Sequence, residues 1–169
     1  MKRLILVNGT MGAGKTATCR ELKKLLPPCA FLDGDWCWDM EPFQVTEETK
    51  AMVQENIVFL LGQFLRCSAY ENVLFCWVMH QEEIIRELLA RLDPQGVEVR
   101  CFTLLPSPAA LAEHIQKDVA AGLRAPGDYQ RSLERLPLYQ AMDTDKILID
   151  GLTPAQAAQA IAEKLEETR

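Results

Sequence analysis

One short segment near the N-terminus constrains the fold of this chain more than any other feature. Residues 9–16 read Gly-Thr-Met-Gly-Ala-Gly-Lys-Thr and match the pattern GxxxxGK(S/T) in full. The segment lies directly between an apolar run that predicts a strand, Lys2–Asn8, and a run that predicts a helix, Gly14–Leu26. Glycines let backbone N–H groups turn inward around an anion, and the start of the helix directs its positive end at the same point. The pattern therefore predicts a phosphate-binding loop.

Short apolar runs alternate with longer helical patterns along the chain. The runs carry apolar residues at successive positions, which is typical of strands buried on both faces of a parallel sheet. After the first strand, the predicted strands are Cys29–Leu32, Val73–Met79, Val97–Leu105 and Lys146–Ile149. Further helices are predicted at Thr46–Cys67, at Gln81–Leu92, and after the pairs Ser107-Pro108 and Thr153-Pro154, where Gln156 completes a capping box. The alternation predicts a single α/β domain over residues 1–169, a three-layer doubly wound sandwich.

Composition and charge exclude several classes of protein. The 169 residues are 49% apolar and 25% charged, near the globular average, which argues against disorder and coiled coils. The net charge of -6 disfavours a protein that grips a nucleic-acid backbone. The six cysteines form no CxxC pair, so we expect free thiols and a cytoplasmic location. No apolar stretch approaches the roughly 20 residues that span a bilayer, so we expect no membrane partner.

The loop motif and a second acidic segment together indicate phosphate chemistry. Lys15 is expected to place its charge on the β- and γ-phosphates of a nucleotide, and the Thr16 hydroxyl to complete the coordination shell of Mg²⁺. The segment Asp33-Gly34-Asp35 follows the second predicted strand, at the edge of the sheet where ligands bind in this class of fold. On an extended segment, the two carboxylates would point the same way, toward the transferred phosphate. The alternative is an Asp-Gly turn with two solvated acids.

In these motifs and in its layout, the chain resembles the small P-loop kinases, a group that includes shikimate kinase, gluconate kinase, chloramphenicol phosphotransferase and the adenylate-kinase-like enzymes. The resemblance implies a five-stranded parallel sheet with strand order 2-3-1-4-5, a short lid at about residues 120–132, and the use of ATP and Mg²⁺. It also implies that Asp33 helps to hold Mg²⁺ through water, and that Asp35 binds the acceptor hydroxyl and takes its proton.

The same resemblance implies a lid and a nucleotide site. The stretch from Gly122 to Asp128, with Arg131 and Arg135 beyond it, is similar to the arginine-bearing lid of these kinases. Arg124 is the first candidate for a phosphate contact; the alternative is a set of surface arginines on a solvated helix. The resemblance also implies that the adenine base lies between a lid residue and the loop after the last strand, residues 150–154, which ends at Pro154. The implied catalytic residues are Lys15, Asp35 and Arg124, and the implied nucleotide-binding residues are Gly9, Thr10, Met11, Gly12, Ala13, Gly14, Lys15, Thr16, Arg124 and Pro154.

The acceptor side departs from these relatives. Where shikimate kinase has a run of glycines, this chain has Trp77-Val78-Met79-His80, and the arginine with which nucleoside monophosphate kinases hold the acceptor phosphate does not occur there. Shikimate and nucleoside monophosphates are therefore disfavoured as acceptors. Aromatic and methionine side chains near this side belong either to the core or to a pocket for a larger, less anionic acceptor: Trp36, Trp38, Met40, Phe43, Trp77 and Met79. The candidate acceptor-binding residues are Asp35, Trp36, His80 and Arg131.

The sequence thus predicts an ATP-dependent phosphotransferase that acts on a hydroxyl group of a small molecule, as a monomer or weak dimer. Two alternatives stay open. One is a nucleotide-binding protein without kinase activity, an ATPase or sensor, and the other is a nucleic-acid 5′-hydroxyl kinase, which the acidic balance disfavours. A regulatory GTPase is disfavoured because the base-reading motif NKxD does not occur.

Overall fold

A five-stranded parallel sheet forms the centre of the molecule. The computed structural model describes residues 1–167, and its strands are β1 (Arg3–Asn8), β2 (Cys29–Asp33), β3 (Asn72–Trp77), β4 (Glu98–Leu105) and β5 (Asp145–Leu148). The α-helices are α1 (Lys15–Leu25), α2 (Glu47–Arg66), α3 (Glu82–Leu92), α4 (Pro108–Ala120), α5 (Asp128–Ala141) and α6 (Pro154–Glu167). The strand order is β2-β3-β1-β4-β5, so the predicted architecture and order are confirmed.

The central strand β1 shows why the apolar runs do not alternate with polar residues. Ile5 and Val7 belong to a core shared with α1 and α6, whereas Leu4 and Leu6 belong to a core shared with α2 and α3. All four side chains are fully buried. Both faces of the sheet are therefore covered by helices, which requires apolar residues at every position of the strand.

The helix starts follow the local signals in the sequence. Thr46 caps α2 and its hydroxyl accepts a hydrogen bond from the Thr49 backbone N–H at 3.1 Å. Ser107 caps α4 in the same way, with proline at the first helical position. Thr153 and Gln156 form the predicted reciprocal capping box, with distances of 2.9 and 3.2 Å. These contacts are formed within a few residues, so they could be predicted without knowledge of the tertiary fold.

Two segments differ from the predicted conformation. Gly34–Trp38 forms a 3₁₀-helix instead of an extended segment, because the Asp33 carboxylate accepts a hydrogen bond from the Asp35 backbone N–H at 2.9 Å and bends the chain. The predicted lid at 120–132 is divided: residues 121–127 are a loop, here called the lid loop, and α5 begins at Asp128. The Asp128 carboxylate accepts a hydrogen bond from the Ala125 backbone N–H at 3.1 Å, which fixes the start of that helix.

Two further observations concern the described residues 1–167. All six cysteines are free thiols. None of the helices in residues 1–167 is long and apolar enough to cross a bilayer.

Candidate active site

The carboxyl ends of the central strands bring the predicted functional residues to one edge of the sheet. In the parallel register, Asn8 at the end of β1 lies beside Trp77 at the end of β3, and Asp33 at the end of β2 lies beside Cys76. The phosphate loop leaves β1 directly after Asn8. Beyond Trp77, the Met79 N–H donates a hydrogen bond to the Trp77 carbonyl at 3.2 Å. The strand therefore ends at Trp77, two residues before the predicted end at Met79. The three segments thus meet at the edge where this fold binds ligands.

The phosphate loop leads through glycine turns into the start of α1, whose N-terminus is not capped by a side chain. Gly12 and Gly14 have φ of 85° and 82°, the left-handed region that glycine adopts without strain. Gly14 is also the N-cap of α1 and has no side chain with which to cap the helix, and the first turn carries no acid. The first N–H groups of a helix have no partner within it. This N-terminus is therefore able to bind a phosphate group through its backbone.

Lys15 is held in the loop by its own backbone. Its half-buried ammonium group donates to the Thr10 carbonyl at 3.0 Å. Burial lowers the pKa of Lys15, and the neighbouring Arg124 lowers it further, while the acidic groups nearby oppose the shift. A bound polyphosphate would neutralise the charge of this ammonium group. The Thr10 hydroxyl turns away from the loop and donates to the Ser132 carbonyl of α5 at 3.0 Å.

Thr16 and Asp33 form the second half of the phosphate site. The Thr16 hydroxyl donates a hydrogen bond to the Asp33 carboxylate, which also accepts one from the Asp35 backbone N–H. Asp33 is buried. Magnesium is usually held by one or two protein oxygens, with phosphates and water completing its shell. No group of three or more potential metal ligands occurs in the described part of the chain, so Thr16 and Asp33 fit a magnesium ion shared with a nucleotide rather than an all-protein metal cage.

A cavity of about 520 Å³, the P-loop cavity, opens over these residues. Arg124 of the lid loop lies in its wall and is held by the Asp118 carboxylate at 2.7 Å. The His114 ring contacts the Gly12 carbonyl at 3.0 Å, so α4 also supports the loop. The residues that line the cavity come from the loop, α1, the 3₁₀-helix, the segment after β3, α4 and the lid loop: Met11, Gly12, Gly14, Lys15, Thr16, Ala17, Arg20, Asp35, Val78, His114, Lys117, Asp118, Leu123 and Arg124.

Sequence reasoning did not identify the contribution of α4. His114, Lys117 and Asp118 all line the P-loop cavity, and their spacing of three and four residues places them on one side of the helix. The buried residues Leu111 and Ile115 lie on the adjacent side of the helix and approach Gly12 of the phosphate loop. The available signal was the spacing of the three polar residues.

A smaller cavity of about 100 Å³ lies at the other end of the phosphate loop. Its wall includes Ala13, Gly14, His114, Leu152 and Pro154. The loop after β5 therefore lies against the phosphate loop, where the sequence led us to expect an adenine base.

A third and larger cavity of about 880 Å³, the aromatic cavity, lies on the side of β3. The rings of the predicted aromatic cluster line it, whereas Met79 is fully buried and Met40 packs against the core. The cluster is thus divided between pocket and core. The lining residues are Asp35, Trp36, Trp38, Asp39, Phe43, Val45, Lys50, Gln54, Trp77, Val78, His80, Ile84 and Arg135.

Asp35 lies where the P-loop cavity and the aromatic cavity meet. It lines both, and Val78 is the other residue that they share. Partial removal from water raises the pKa of the Asp35 carboxyl and the Asp33 carboxylate raises it further, whereas Lys15, Arg124 and a hydrogen bond with the Trp77 side chain lower it. Cations and an acceptor hydroxyl can therefore approach the same carboxylate from opposite sides.

The remaining predicted acceptor residues have different positions. Trp36 and His80 line the aromatic cavity. Removal from water lowers the pKa of His80, and the Arg135 charge lowers it further. Arg131 is exposed and pairs with the buried Asp128 carboxylate at the start of α5, and it is Arg135, one turn later, that lines the aromatic cavity. The sequence placed both arginines beyond the lid but could not show which side of α5 faces the site.

Comparisons with known proteins agree with this architecture. The family model AAA_18, described as an AAA domain, matches residues 5–118. The chain has no significant match among curated protein sequences. Its fold is similar to that of the tunicamycin resistance protein of Deinococcus radiodurans, with a TM-score of 0.75 at 20% identity over 98% of this chain and 96% of that one.

Two kinases have a similar fold. A sugar kinase from Janibacter sp. HTCC2649 has a TM-score of 0.66 at 15% identity, over 98% of this chain and 95% of that one. A gluconokinase from Sinorhizobium meliloti 1021 has a TM-score of 0.64 at 19% identity, over 98% and 97%. Each match extends over nearly the full length of both chains, which confirms the predicted fold class.

Proposed function

The chain belongs to the AAA_18 family of AAA domains and has the fold of the small P-loop kinases, and we propose that it transfers the γ-phosphoryl group of ATP to a hydroxyl group of a small molecule. The observation that carries this proposal is the position of Asp35, the acid in the wall between the P-loop cavity and the aromatic cavity. A carboxylate between a phosphate site and a separate acceptor pocket is the arrangement that phosphoryl transfer to a hydroxyl needs.

The P-loop cavity is the proposed nucleotide site. The N-terminus of α1 and Lys15 bind the β- and γ-phosphates, and Arg124 can reach the transferred group from the lid loop. Thr16 and Asp33 hold Mg²⁺, which when bound neutralises charge on the phosphate oxygens. Pro154 and its neighbours, which line a small cavity beside the phosphate loop, are the proposed contacts of the adenine base. The catalytic contribution of these groups is positioning and electrostatic stabilisation.

Asp35 is the proposed base on the acceptor side. The acceptor oxygen forms a bond to the γ-phosphorus, the bond from that phosphorus to the bridging oxygen of ADP breaks, and the hydroxyl proton passes to the Asp35 carboxylate. His80 and Arg135 are in the same cavity and can orient other polar groups of the acceptor. The aromatic rings favour an acceptor that is larger and less anionic than shikimate.

The test is a screen for ADP release across hydroxyl metabolites, nucleosides and antibiotics, repeated with variants of the two central residues. Lys15→Ala should lose turnover by several orders of magnitude and keep its fold, because the hydrogen bond of the lysine is made to the Thr10 carbonyl of its own loop. Asp35→Asn should keep its nucleotide affinity and lower kcat by roughly 10²–10⁴-fold. As a control, Asp93→Asn changes an exposed carboxyl at the end of α3, where asparagine tolerates the left-handed backbone, and should behave as wild type.

The two acids of the segment should respond differently to magnesium. Asp33→Asn weakens the oxygen pair with Thr16, so its activity should recover in part at high Mg²⁺, whereas that of Asp35→Asn should not. Near-normal turnover by Lys15→Ala would contradict the kinase proposal itself. Wild-type turnover by Asp35→Asn together with loss in Asp33→Asn would require the two roles to be exchanged.

A further inference from the structure

A second cavity lies beside the aromatic cavity, between α2 and α3. This α2–α3 cavity has a volume of about 280 Å³ and shares Gln54, Trp77 and Ile84 with the aromatic cavity. The indole of Trp77 is thus a wall common to both. A ligand that occupied both cavities would contact this side chain.

The α2–α3 cavity is apolar inside and charged at its opening. Ile57 and Leu88 are buried at its base, and Val58 is half-buried beside them. Its charged residues, Glu87 and Arg91, are exposed, and Arg91 is paired with Glu55. The interior therefore offers apolar contact to a ligand, with the charged groups at the opening in water.

The wall between the two cavities is held in place by its surroundings. The Trp77 ring lies so close to Gly34 that a Cβ at that position would be 2.5 Å from its Cγ. On the other side the ring centroid is 6.3 Å from that of the buried Phe75. Gly34 and Phe75 therefore restrict the movement of the indole, so the wall between the two cavities keeps its position.

We propose that the α2–α3 cavity binds an apolar chain of the phosphate acceptor, whose hydroxyl-bearing head lies in the aromatic cavity beside Asp35. This inference rests on the proposed kinase function and specifies its substrate class: an amphiphilic alcohol with a polar head and a hydrocarbon tail. The head contacts Asp35, His80 and Arg135, and the tail passes Trp77. A helix about 10 Å across does not fit a cavity of this size, so a small-molecule substituent is favoured over a protein segment.

The test uses the n-alkyl β-glucosides from methyl to octyl, below the concentrations at which they form micelles. The three tryptophans of the chain, Trp36, Trp38 and Trp77, all line the aromatic cavity, so their fluorescence reports its occupancy without any need for turnover. Each methylene that enters an apolar site contributes about 0.8 kcal/mol, equivalent to about a fourfold change in Kd. We expect the Kd to fall by about that factor per methylene until the α2–α3 cavity is filled.

Two variants fill the cavity from opposite helices, and a third serves as a matched control. Val58→Phe on α2 and Ala90→Phe on α3 should remove the dependence on chain length while leaving the affinity for the methyl glucoside unchanged. Ala51→Phe adds the same ring to an exposed position of α2 that lines neither cavity, and should retain the wild-type dependence. A Kd that does not change with chain length in the wild type overturns the proposal, and so does full dependence in both filled variants.

The same titrations separate this inference from the proposed function. ADP release is measured in parallel on each glucoside. Chain-length-dependent binding with no ADP release from any hydroxyl compound would refute the kinase function and leave an amphiphile-binding site. ADP release on other acceptors with chain-length-independent binding would keep the kinase and refute the tail site.

Discussion

Replacing Gly34 by alanine would place a methyl group in steric conflict with the Trp77 ring. The added Cβ would lie 2.5 Å from Cγ, 2.6 Å from Cδ1 and 3.0 Å from Cδ2 of that indole. Carbon atoms in contact are ordinarily about 3.5–4.0 Å apart, so the ring must move by about 1 Å. These contacts are at the base of the indole, beside its attachment to β3, so a rotation of the side chain alone does not relieve them.

The displacement should affect both stability and acceptor binding. Overpacking of this kind costs about 1–3 kcal/mol, and for a domain of about this size each kcal/mol lowers the Tm by about 2–4 °C. A shift of about 1 Å in a group that positions substrate can lower the rate about 100-fold. Because Trp77 lines the aromatic cavity and not the P-loop cavity, kcat/KM for the acceptor should fall while the Kd for ATP stays the same.

Thermal denaturation, nucleotide titration and acceptor kinetics measure these effects separately. Gly62→Ala is the matched control, since its Cβ would meet only the flexible end of Arg66 at 3.2 Å, within helix α2, where alanine is favoured over glycine. The double variant Gly34→Ala/Trp77→Leu should recover part of the lost stability, because the smaller side chain relieves the contact. If Gly34→Ala matched wild type in both Tm and acceptor kinetics, the close packing inferred here would be refuted.

Three further predictions test other parts of the molecule. Limited proteolysis should cut the free protein in the lid loop, residues 121–127, and slow when ATP is added; cleavage that is indifferent to ATP would show an ordinary surface loop. Iodoacetamide under native conditions should modify the exposed Cys67 first, since burial raises the pKa of Cys29 and Cys101 to about 12; mass spectrometry of the peptides decides. Because the pKa of His80 is lowered on folding, the unfolded chain binds more protons than the folded chain as the pH falls below about 6.5. The free energy of unfolding should therefore fall from pH 7 to pH 5, and it should fall less in His80→Gln. If the urea midpoint shifts equally in both proteins, the loss belongs to other groups.

The parts of the structure that the sequence predicted depend on local or repeated signals. The strands of the sheet are recognisable because both of their faces are buried, and the phosphate loop because its glycines and Lys15 are adjacent in the chain. The caps at Thr46 and Thr153 are formed by residues three positions apart. Each of these features is specified by a few neighbouring residues.

The parts that were not predicted depend on contacts between distant segments. The bend at Gly34 starts from the local hydrogen bond between the Asp35 N–H and Asp33, but its close approach to Trp77 depends on another strand. The choice between Arg131 and Arg135 depends on how α5 is rotated against the sheet, and neighbouring charges in the sequence do not specify that rotation. The part of α4 that supports the loop through His114 is likewise set by packing between helices.

The hydrogen bond from the Thr10 hydroxyl to the Ser132 carbonyl anchors α5 to the phosphate loop. The part of α5 that follows this anchor is here called the frame, and the lid loop that precedes it is called the arm. Arg135 lies on the far side of this anchor and belongs to the frame, together with the aromatic cavity that it lines. Arg124 lies on the near side, in the arm. If the arm closes over a bound nucleotide, as the proposed function requires, the movement should change the P-loop cavity and leave Arg135 in place, so we expect the aromatic cavity to have its present shape before nucleotide binds.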